Sequence, residues 1–429
     1  LYAKEKIKIK TELIIIASWL FFMLIAGRGS VRLMFVITPF VVFIACFCVV
    51  KLFDYWRKSK DDFFKMIFLI ALIISIVGLA ISGNNFVDAS IYQGKNTGPS
   101  ANFQWQNAMS WVRDNTAENS IFVHWWDYGY WVQYLGERPT VTDGGHGIGY
   151  WDHLTGRYLL TTPNPETALS FMKTQNVSYL LIDPTDLGKY PAYSKIGSDK
   201  DSRDRYSQIP VMVLDPSQTQ EIANGTIRLY QGGVPVDEDI IYRTDENEIF
   251  LPSGKAIAAG VILQSSNKGI STTFTQPQGV FVYNQKQINI PVRYIYYNEN
   301  LIDFKTGLDA IIRIIPIVTQ NDQQVQIDNL GAAIYLSPKV SKSLFAQLYL
   351  LNNAFKNYET IKLAHSQDDP FVSTLNSQGG NIKDFVYFNG FRGPIKIWKV
   401  DYPSNIIEKE EFLRTSGEYA EFDNLKFIK

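Results

Sequence analysis

The chain has 429 residues, with 41 Lys and Arg against 42 Asp and Glu. That length exceeds one ordinary domain and predicts two or three. The balanced charge lacks the basic surplus by which proteins hold nucleic acid nonspecifically, so no nucleic-acid partner is expected.

The apolar residues crowd into the first 82 positions. Leu13 to Ala26 is almost wholly apolar, Leu33 to Val50 is broken only by Thr38 and Pro39, and Met66 to Ile81 only by Ser75 and Gly78. With its flanks each run approaches the roughly 20 residues that cross a bilayer, which predicts three transmembrane helices over 1–82. Lys4, Lys6, Lys8 and Lys10 precede the first run, and Lys51, Arg57, Lys58 and Lys60 lie between the second and third. The positive-inside rule places both groups in the cytoplasm and everything after Ser82 outside. The expectation is a multi-pass cell-membrane protein with an extracytoplasmic C-terminal domain. Both cysteines, Cys46 and Cys48, fall in the second run, so the outer region carries no disulfide. That favours a prokaryotic surface protein over a disulfide-stapled ectodomain.

Residues 83–102 are rich in Gly, Ser and Asn and read as a linker. From Phe103 to about 208, helix and strand signals alternate. A helix is expected over Phe103–Thr116, a strand over Ser120–His124, a helix over Tyr128–Leu135 ending at Gly136 as a left-handed cap, and a short strand over Thr140–Thr142. Asn164-Pro165 is a helix start, with Asn as cap and Pro in the first turn; that helix runs to Thr174, and Val177–Ile182 is an apolar strand. From 209 to 340, short alternating runs such as Gly279-Val-Phe-Val-Tyr283 predict antiparallel β, as a small barrel or a sandwich. Residues 341–429 return to the core, with a helix over Ser341–Phe355, a strand over Phe391–Val400 and a partly helical tail. The fold class expected is α/β plus β behind a membrane region.

The run Trp125-Trp126-Asp127-Tyr128-Gly129 stands at a strand-to-helix turn. Asp127 can be a helix cap, but a cap does not need two preceding indoles. Strand alternation sends the two rings to opposite faces, one toward the core and one toward solvent. An indole N–H beside a carboxylate can hold a small hydroxyl, donating to its oxygen and accepting its proton. His124, Asp143, His146, Asp152 and His153 lie nearby in sequence. Their spacing fits no metal motif.

The pentad resembles the signature of the catalytic subunit of oligosaccharyltransferases, the membrane enzymes that glycosylate asparagine. In that family the run recognises the Ser/Thr of the acceptor sequon Asn-X-Ser/Thr. The resemblance implies that Trp125, Trp126, Asp127, Tyr128 and Gly129 do so here. Asp186-Leu-Gly-Lys189-Tyr-Pro-Ala-Tyr193 is similar to an archaeal motif beside the sequon pocket; it matches at Asp186 and Lys189, while Tyr193 stands where the family has Met or Ile. Val31-Arg32-Leu33-Met34 resembles a run whose arginine holds the lipid phosphate, which makes Arg32 the candidate for that contact. The resemblance further implies a lipid-linked oligosaccharide on a dolichyl carrier as donor, an acceptor polypeptide, and Mn²⁺ or Mg²⁺ bound by residues N-terminal to this chain. A chain that opens at Leu1 without methionine reads as a C-terminal fragment, so no catalytic residue is expected within it. The other reading of the composition is a membrane-anchored surface receptor or S-layer-associated binding protein.

Overall fold

The structure, a computed structural model, describes residues 11–29, 33–199, 201, 203–243, 248–268, 271–321 and 324–415. The chain divides into two units, Leu1–Ser100 and Ala101–Lys429.

The first unit holds α1 (Thr11–Gly29), α2 (Met34–Lys58) and α3 (Asp62–Thr97). Two helical segments, Phe35–Lys58 and Asp62–Thr97, are long and apolar enough to cross a membrane; the apolar part of α1, Ile14–Gly29, is shorter. Large apolar side chains such as Phe22, Phe35 and Ile74 are exposed along these helices. Asp61 caps α3 by accepting from Phe63 N at 2.9 Å. The expected linker over 83–102 is helical as far as Thr97. Its Gly, Ser and Asn content suggested a break, but the first strong stop is Gly98, at φ 63°, followed by Pro99. Cys46 and Cys48 are both free.

The second unit opens with α4 (Phe103–Asn115), whose first turn is capped by the Asn102 carboxamide, accepting from Trp105 N at 3.0 Å. Then come β1 (Ile121–Val123), a 3₁₀ turn over Trp126–Tyr128, α5 (Gly129–Leu135), α6 (Tyr150–Leu154) and a π turn over Thr155–Leu160. α7 (Pro165–Thr174) follows, its Asn164 cap accepting from Glu166 N and Thr167 N as the sequence implies. β2 (Val177–Ile182) leads to α8 (Asp186–Ile196). Two expectations here are corrected. Gly136 is not left-handed: its φ is −88°, and Glu137 takes the positive φ, 54°. Glycine serves closeness instead, since a Cβ at 136 would lie 2.6 Å from Val132 O. Residues Thr140–Thr142 form no strand, only a bridge from Thr140 to Phe122.

The β-rich region runs through β3 (Val211–Leu214), β4 (Gln220–Ile222), β5 (Gly225–Pro235), β6 (Ile240–Arg243), β7 (Glu248–Leu251), β8 (Ile257–Lys268), β9 (Ser271–Phe274), β10 (Gln278–Tyr283), β11 (Lys286–Tyr297), β12 (Asn300–Asp303), β13 (Leu308–Asn321) and β14 (Gln324–Leu336). β11, β10, β8, β5, β3, β14 and β13 pair in that order, and β11 pairs β13 in parallel through Tyr294↔Ile311, closing the sheet into a barrel. Successive residues of β13 and β14 point to opposite faces. Ala310, Ile312, Ile314 and Ala333 fill the barrel with Met212, Val261 and Phe281, while Ile311, Ile315, Ala332 and Ile334 face outward into the α/β core. Both faces of these strands are buried, which is why they read as nearly continuous apolar runs.

The chain then returns to the core through α9 (Pro338–Ser341), a π turn over Phe345–Leu350, β15 (Ile361–Gln367), α10 (Pro370–Ser377), β16 (Val386–Tyr387), β17 (Phe391–Arg392) and β18 (Ile395–Val400). The single helix expected over Ser341–Phe355 is thus broken, with Asn352 and Asn353 at φ 46° and 54°. The expected strand over Phe391–Val400 is interrupted at Gly393-Pro394, where proline has no N–H to give a ladder. β18 enters the core sheet between β2 and β15, giving the order β1-β2-β18-β15. In the tail, Phe412 is buried against Tyr158 and Phe171, and residues 416–429 lie outside the described residues.

Candidate functional site

β1 and β2 pair in parallel, so their C-terminal ends lie side by side. In α/β sheets that edge is where ligands are received. Here it sets the Trp-Trp-Asp turn, which follows β1, beside the Asp183–Lys189 segment, which follows β2.

Trp125 is extended, and its ring is buried against Tyr193, centroids 5.5 Å apart. Trp126 is half-buried, with His146 edge-on at 4.5 Å. One indole in the core and one at the surface is the arrangement expected, reached through a 3₁₀ turn rather than strand alternation. Gly129 starts α5 where the backbone of the 142–143 segment passes. A Cβ there would sit 2.3 Å from Asp143 Cβ and 2.7 Å from Thr142 O, so no larger residue fits.

Behind this turn lies a buried hydrogen-bond network. Asp183, at the end of β2, accepts from Trp105 Nε1 at 2.9 Å and from Thr185 N at 2.8 Å. Asp186 accepts from Asp183 N at 3.0 Å and from the Tyr128 hydroxyl at 2.8 Å. Lys189 Nζ donates to that same hydroxyl at 3.0 Å and stands 3.1 Å from Asp127 Oδ2. The ammonium also lies 4.3 Å from the Tyr128 ring centre, a cation–π placement. Tyr128 is therefore the hinge between a buried carboxylate and the exposed Lys189–Asp127 pair, whose side chains are 31% and 29% exposed.

Burial pushes the Asp186 carboxyl up to about 7, and the neighbouring Asp183 adds to it. Burial raises Asp183 as well. Tyr128 is pushed well above its ordinary range, by burial and then by Asp186. His124, fully buried at the end of β1, is lowered to about 4 by burial. Burial thus disfavours the charged form of each of these groups, while Asp127 and Lys189 are the partly exposed pair at the surface.

Of the sequence-predicted residues, Trp126, Asp127 and Lys189 come together at the surface. Trp125, Tyr128, Gly129 and Asp186 support them from below. Tyr193 is a correction as a contact residue: it is fully buried, packed against Trp125, Tyr190 and Phe345, and has no open face for a ligand. Asp186 is buried, 1% exposed, at the first turn of α8. Arg32 lies outside the described residues.

Sequence reasoning missed Trp105, Asp183 and Thr185. Asp183 directly after an apolar strand and before Pro184 was the available signal. It also left the His146–Asp152 pair, Nδ1 to Oδ2 2.6 Å, without a role beside Trp126. Among the described residues, no three His, Cys, Asp or Glu side chains are grouped to hold a metal ion. The described residues therefore do not themselves form a donor set for a divalent cation.

The STT3/PglB/AglB core-domain family model matches residues 118–205, the stretch that carries the aromatic–carboxylate turn and the facing lysine at one sheet edge. Dolichyl-phosphooligosaccharide-protein glycotransferase 1 of Pyrococcus furiosus is 36% identical over 95 residues, 22% of this chain and 10% of that protein. Subunit stt-3 of the dolichyl-diphosphooligosaccharide–protein glycosyltransferase of Caenorhabditis elegans is 30% identical over 78 residues, 18% of this chain and 10% of that protein. The solved oligosaccharyltransferase of Archaeoglobus fulgidus aligns over 85% of this chain and 35% of its own, with a TM-score of 0.41 and 15% identity. The chain thus spans only a small part of the length of the curated relatives it matches.

Proposed function

We propose that the protein of which this chain forms part transfers an oligosaccharide from a dolichyl phosphate or pyrophosphate carrier to the Asn of Asn-X-Ser/Thr sequons. This chain supplies the reader of the acceptor. The names of the curated relatives support the reaction class, and the two long, exposed apolar helices support a membrane setting; the spacing of the basic residues is what favours three spans with the second unit outside. The other reading, a surface receptor, is not favoured by the match over residues 118–205.

The observation that carries this reading is the Lys189 ammonium held between Asp127 and Tyr128, beside the half-exposed Trp126. Asp127 offers its second carboxylate oxygen to a hydroxyl proton, and the Trp126 N–H can donate to the hydroxyl oxygen. The lysine fixes the carboxylate rotamer, so the acceptor meets a preformed acceptor–donor pair rather than ordering one. Trp125, Gly129 and Asp186 hold that geometry. The acceptor amide attacks the anomeric carbon of the donor sugar and the lipid phosphate leaves. A divalent cation, Mn²⁺ or Mg²⁺, would offset the charge of the leaving group, with ligands outside the described residues. Arg32, through its planar guanidinium, is our candidate for holding the lipid phosphate.

The test is binding of labelled Asn-X-Thr and Asn-X-Ala peptides to the full chain, with tryptophan fluorescence as the readout. Preference for the Thr peptide that is lost in Asp127→Ala is the expected result. Equal binding of both peptides by the folded natural chain sinks the reading.

A further inference from the structure

Away from the Trp-Trp-Asp turn, the densest group of buried charge lies where β13, β18 and the segment before β16 meet. Arg313 of β13 and Lys396 of β18 are 6% and 2% exposed. Asp384 stands between them, 3.5 Å from Arg313 Nη2 and 3.5 Å from Lys396 Nζ. Asn352 completes the group: it donates to Asp384 Oδ2 at 2.9 Å and accepts from Lys396 at 2.7 Å. Of the other carboxylates nearby, Glu299 is paired with Lys383 at 3.2 Å, and the exposed Asp368 interacts with both Lys396 and Asp384. Two buried cations therefore share one partly buried carboxylate.

The group is also short of acceptors. Arg313 Nε and Nη1 are buried with no hydrogen-bond partner, and the guanidinium lies 4.4 Å from the Phe385 ring centre and 5.0 Å from that of Tyr296. Ring faces do not replace oxygen acceptors for N–H groups removed from water. Two clefts meet at this point, both walled by Glu299 and Asp384. The smaller, about 50 Å³, is lined by Arg313 and Tyr296. The larger, about 420 Å³, is lined by Lys396, Asn352, Asn353, Ser366 and Trp398. The second holds far more than a water, whose share of liquid volume is about 30 Å³.

We propose that the larger cleft is an anion-binding site, taking a phosphate or carboxylate group whose oxygens accept from Lys396 Nζ while Arg313 supplies the second positive charge. A bound oxyanion gives the cluster two negative groups for its two cations. Burial lowers the Lys396 ammonium to about 8 and Arg313 pushes in the same direction, whereas an anion in contact reverses that shift. The site lies in the barrel-to-core return of the chain and does not depend on acceptor recognition at Asp127.

The test is reductive methylation of the full chain at pH 8, read residue by residue by mass spectrometry, in phosphate, in acetate and in chloride at equal ionic strength. A rise of one unit from about 8 lowers the neutral amine at pH 8 from about a half to about a tenth, so labelling of Lys396 slows roughly fivefold. Saturable protection of Lys396 by phosphate, with exposed Lys362 unchanged, is expected. Acetate acting likewise supports a site for any oxyanion; phosphate acting alone supports a phosphate site. Labelling of Lys396 that is the same in all three salts overturns the proposal. In thermal unfolding, phosphate stabilises the natural chain beyond chloride, and Lys396→Met removes that increment. An increment retained by the folded variant also overturns it. If the variant does not fold, the labelling of the natural chain decides.

Discussion

Gly129→Ala tests how tightly the Trp-Trp-Asp turn is built. The new methyl would sit 2.3 Å from Asp143 Cβ, 2.5 Å from Asp143 Cα and 2.7 Å from Thr142 O. Carbon atoms pack near 3.5–4.0 Å, so the 142–143 backbone must retreat by more than about 1 Å. That retreat strains the hydrogen bonds from Gln133 to Asp143, 2.8 Å, and from Thr142 to His124 O, 3.1 Å. Overpacking at about 1–3 kcal/mol plus about 1 kcal/mol for a weakened bond gives a loss of about 3 kcal/mol. The matched control is Gly188→Ala on α8. Gly188 is exposed, and an added Cβ there meets nothing within 4 Å. Alanine in an open helix interior is worth about 0.5–1 kcal/mol over glycine, so this variant gains stability. Thermal unfolding of the full chain should lower the midpoint by about 4 °C for Gly129→Ala and raise it slightly for Gly188→Ala. Two variants of equal stability would refute the packing argument.

Other expectations concern the network and the tail. Asp186 is neutral in the folded chain up to about 7, against 3.8 for an ordinary carboxyl. Its contribution to stability is thus complete below about pH 4 and is lost as pH rises through 7, at up to about 1.4 kcal/mol per pH unit. Denaturant unfolding of the full chain should show that slope between pH 4 and 7, and Asp186→Asn should flatten it; an unchanged slope contradicts the burial argument. Tyr128→Phe keeps the ring and removes the hydroxyl that bridges Lys189 and Asp186, and should cost about 1.5–3 kcal/mol with weaker binding of Asn-X-Thr peptides. Isothermal calorimetry and melting curves check the two effects separately. Phe412→Ala removes a ring seated on Tyr158 and Phe171 and should destabilise by about 3–5 kcal/mol, seen as a lower denaturant midpoint.

The parts of the fold legible in the sequence are those set by neighbours along the chain. Asn164-Pro165 marked α7, and the apolar run Val177–Ile182 marked β2, because capping and local burial leave local signatures. The Trp-Trp-Asp run and the Asp186–Lys189 pair were equally visible. What they rest on was not. The roles of Trp105, Asp183 and Thr185 appear only when β1 and β2 lie in parallel, and that pairing has no local mark. Tyr193 was a candidate contact through the motif's resemblance alone, and its position on α8 turns it into the core beneath Trp125. Nothing local marks Asp186 as buried; only the tertiary packing shows it. The closure of β11 on β13 is likewise a matter of register between distant segments.

The place of β18 in the core sheet has a consequence for how this molecule is made. β2, whose end carries Asp183, pairs with β18 through Leu180↔Trp398 and Ile182↔Lys396. The whole barrel, Val211 to Leu336, is encoded between these two strands. During synthesis β2 is therefore an edge strand, with one row of backbone N–H and C=O groups unpaired, until the segment ending at Val400 has emerged. Contacts of such large sequence separation form slowly. The surface around the Trp-Trp-Asp turn is thus among the last parts of the second unit to mature. A chain truncated after the barrel would keep every residue of the Trp-Trp-Asp turn and still lack the strand that holds β2 in place.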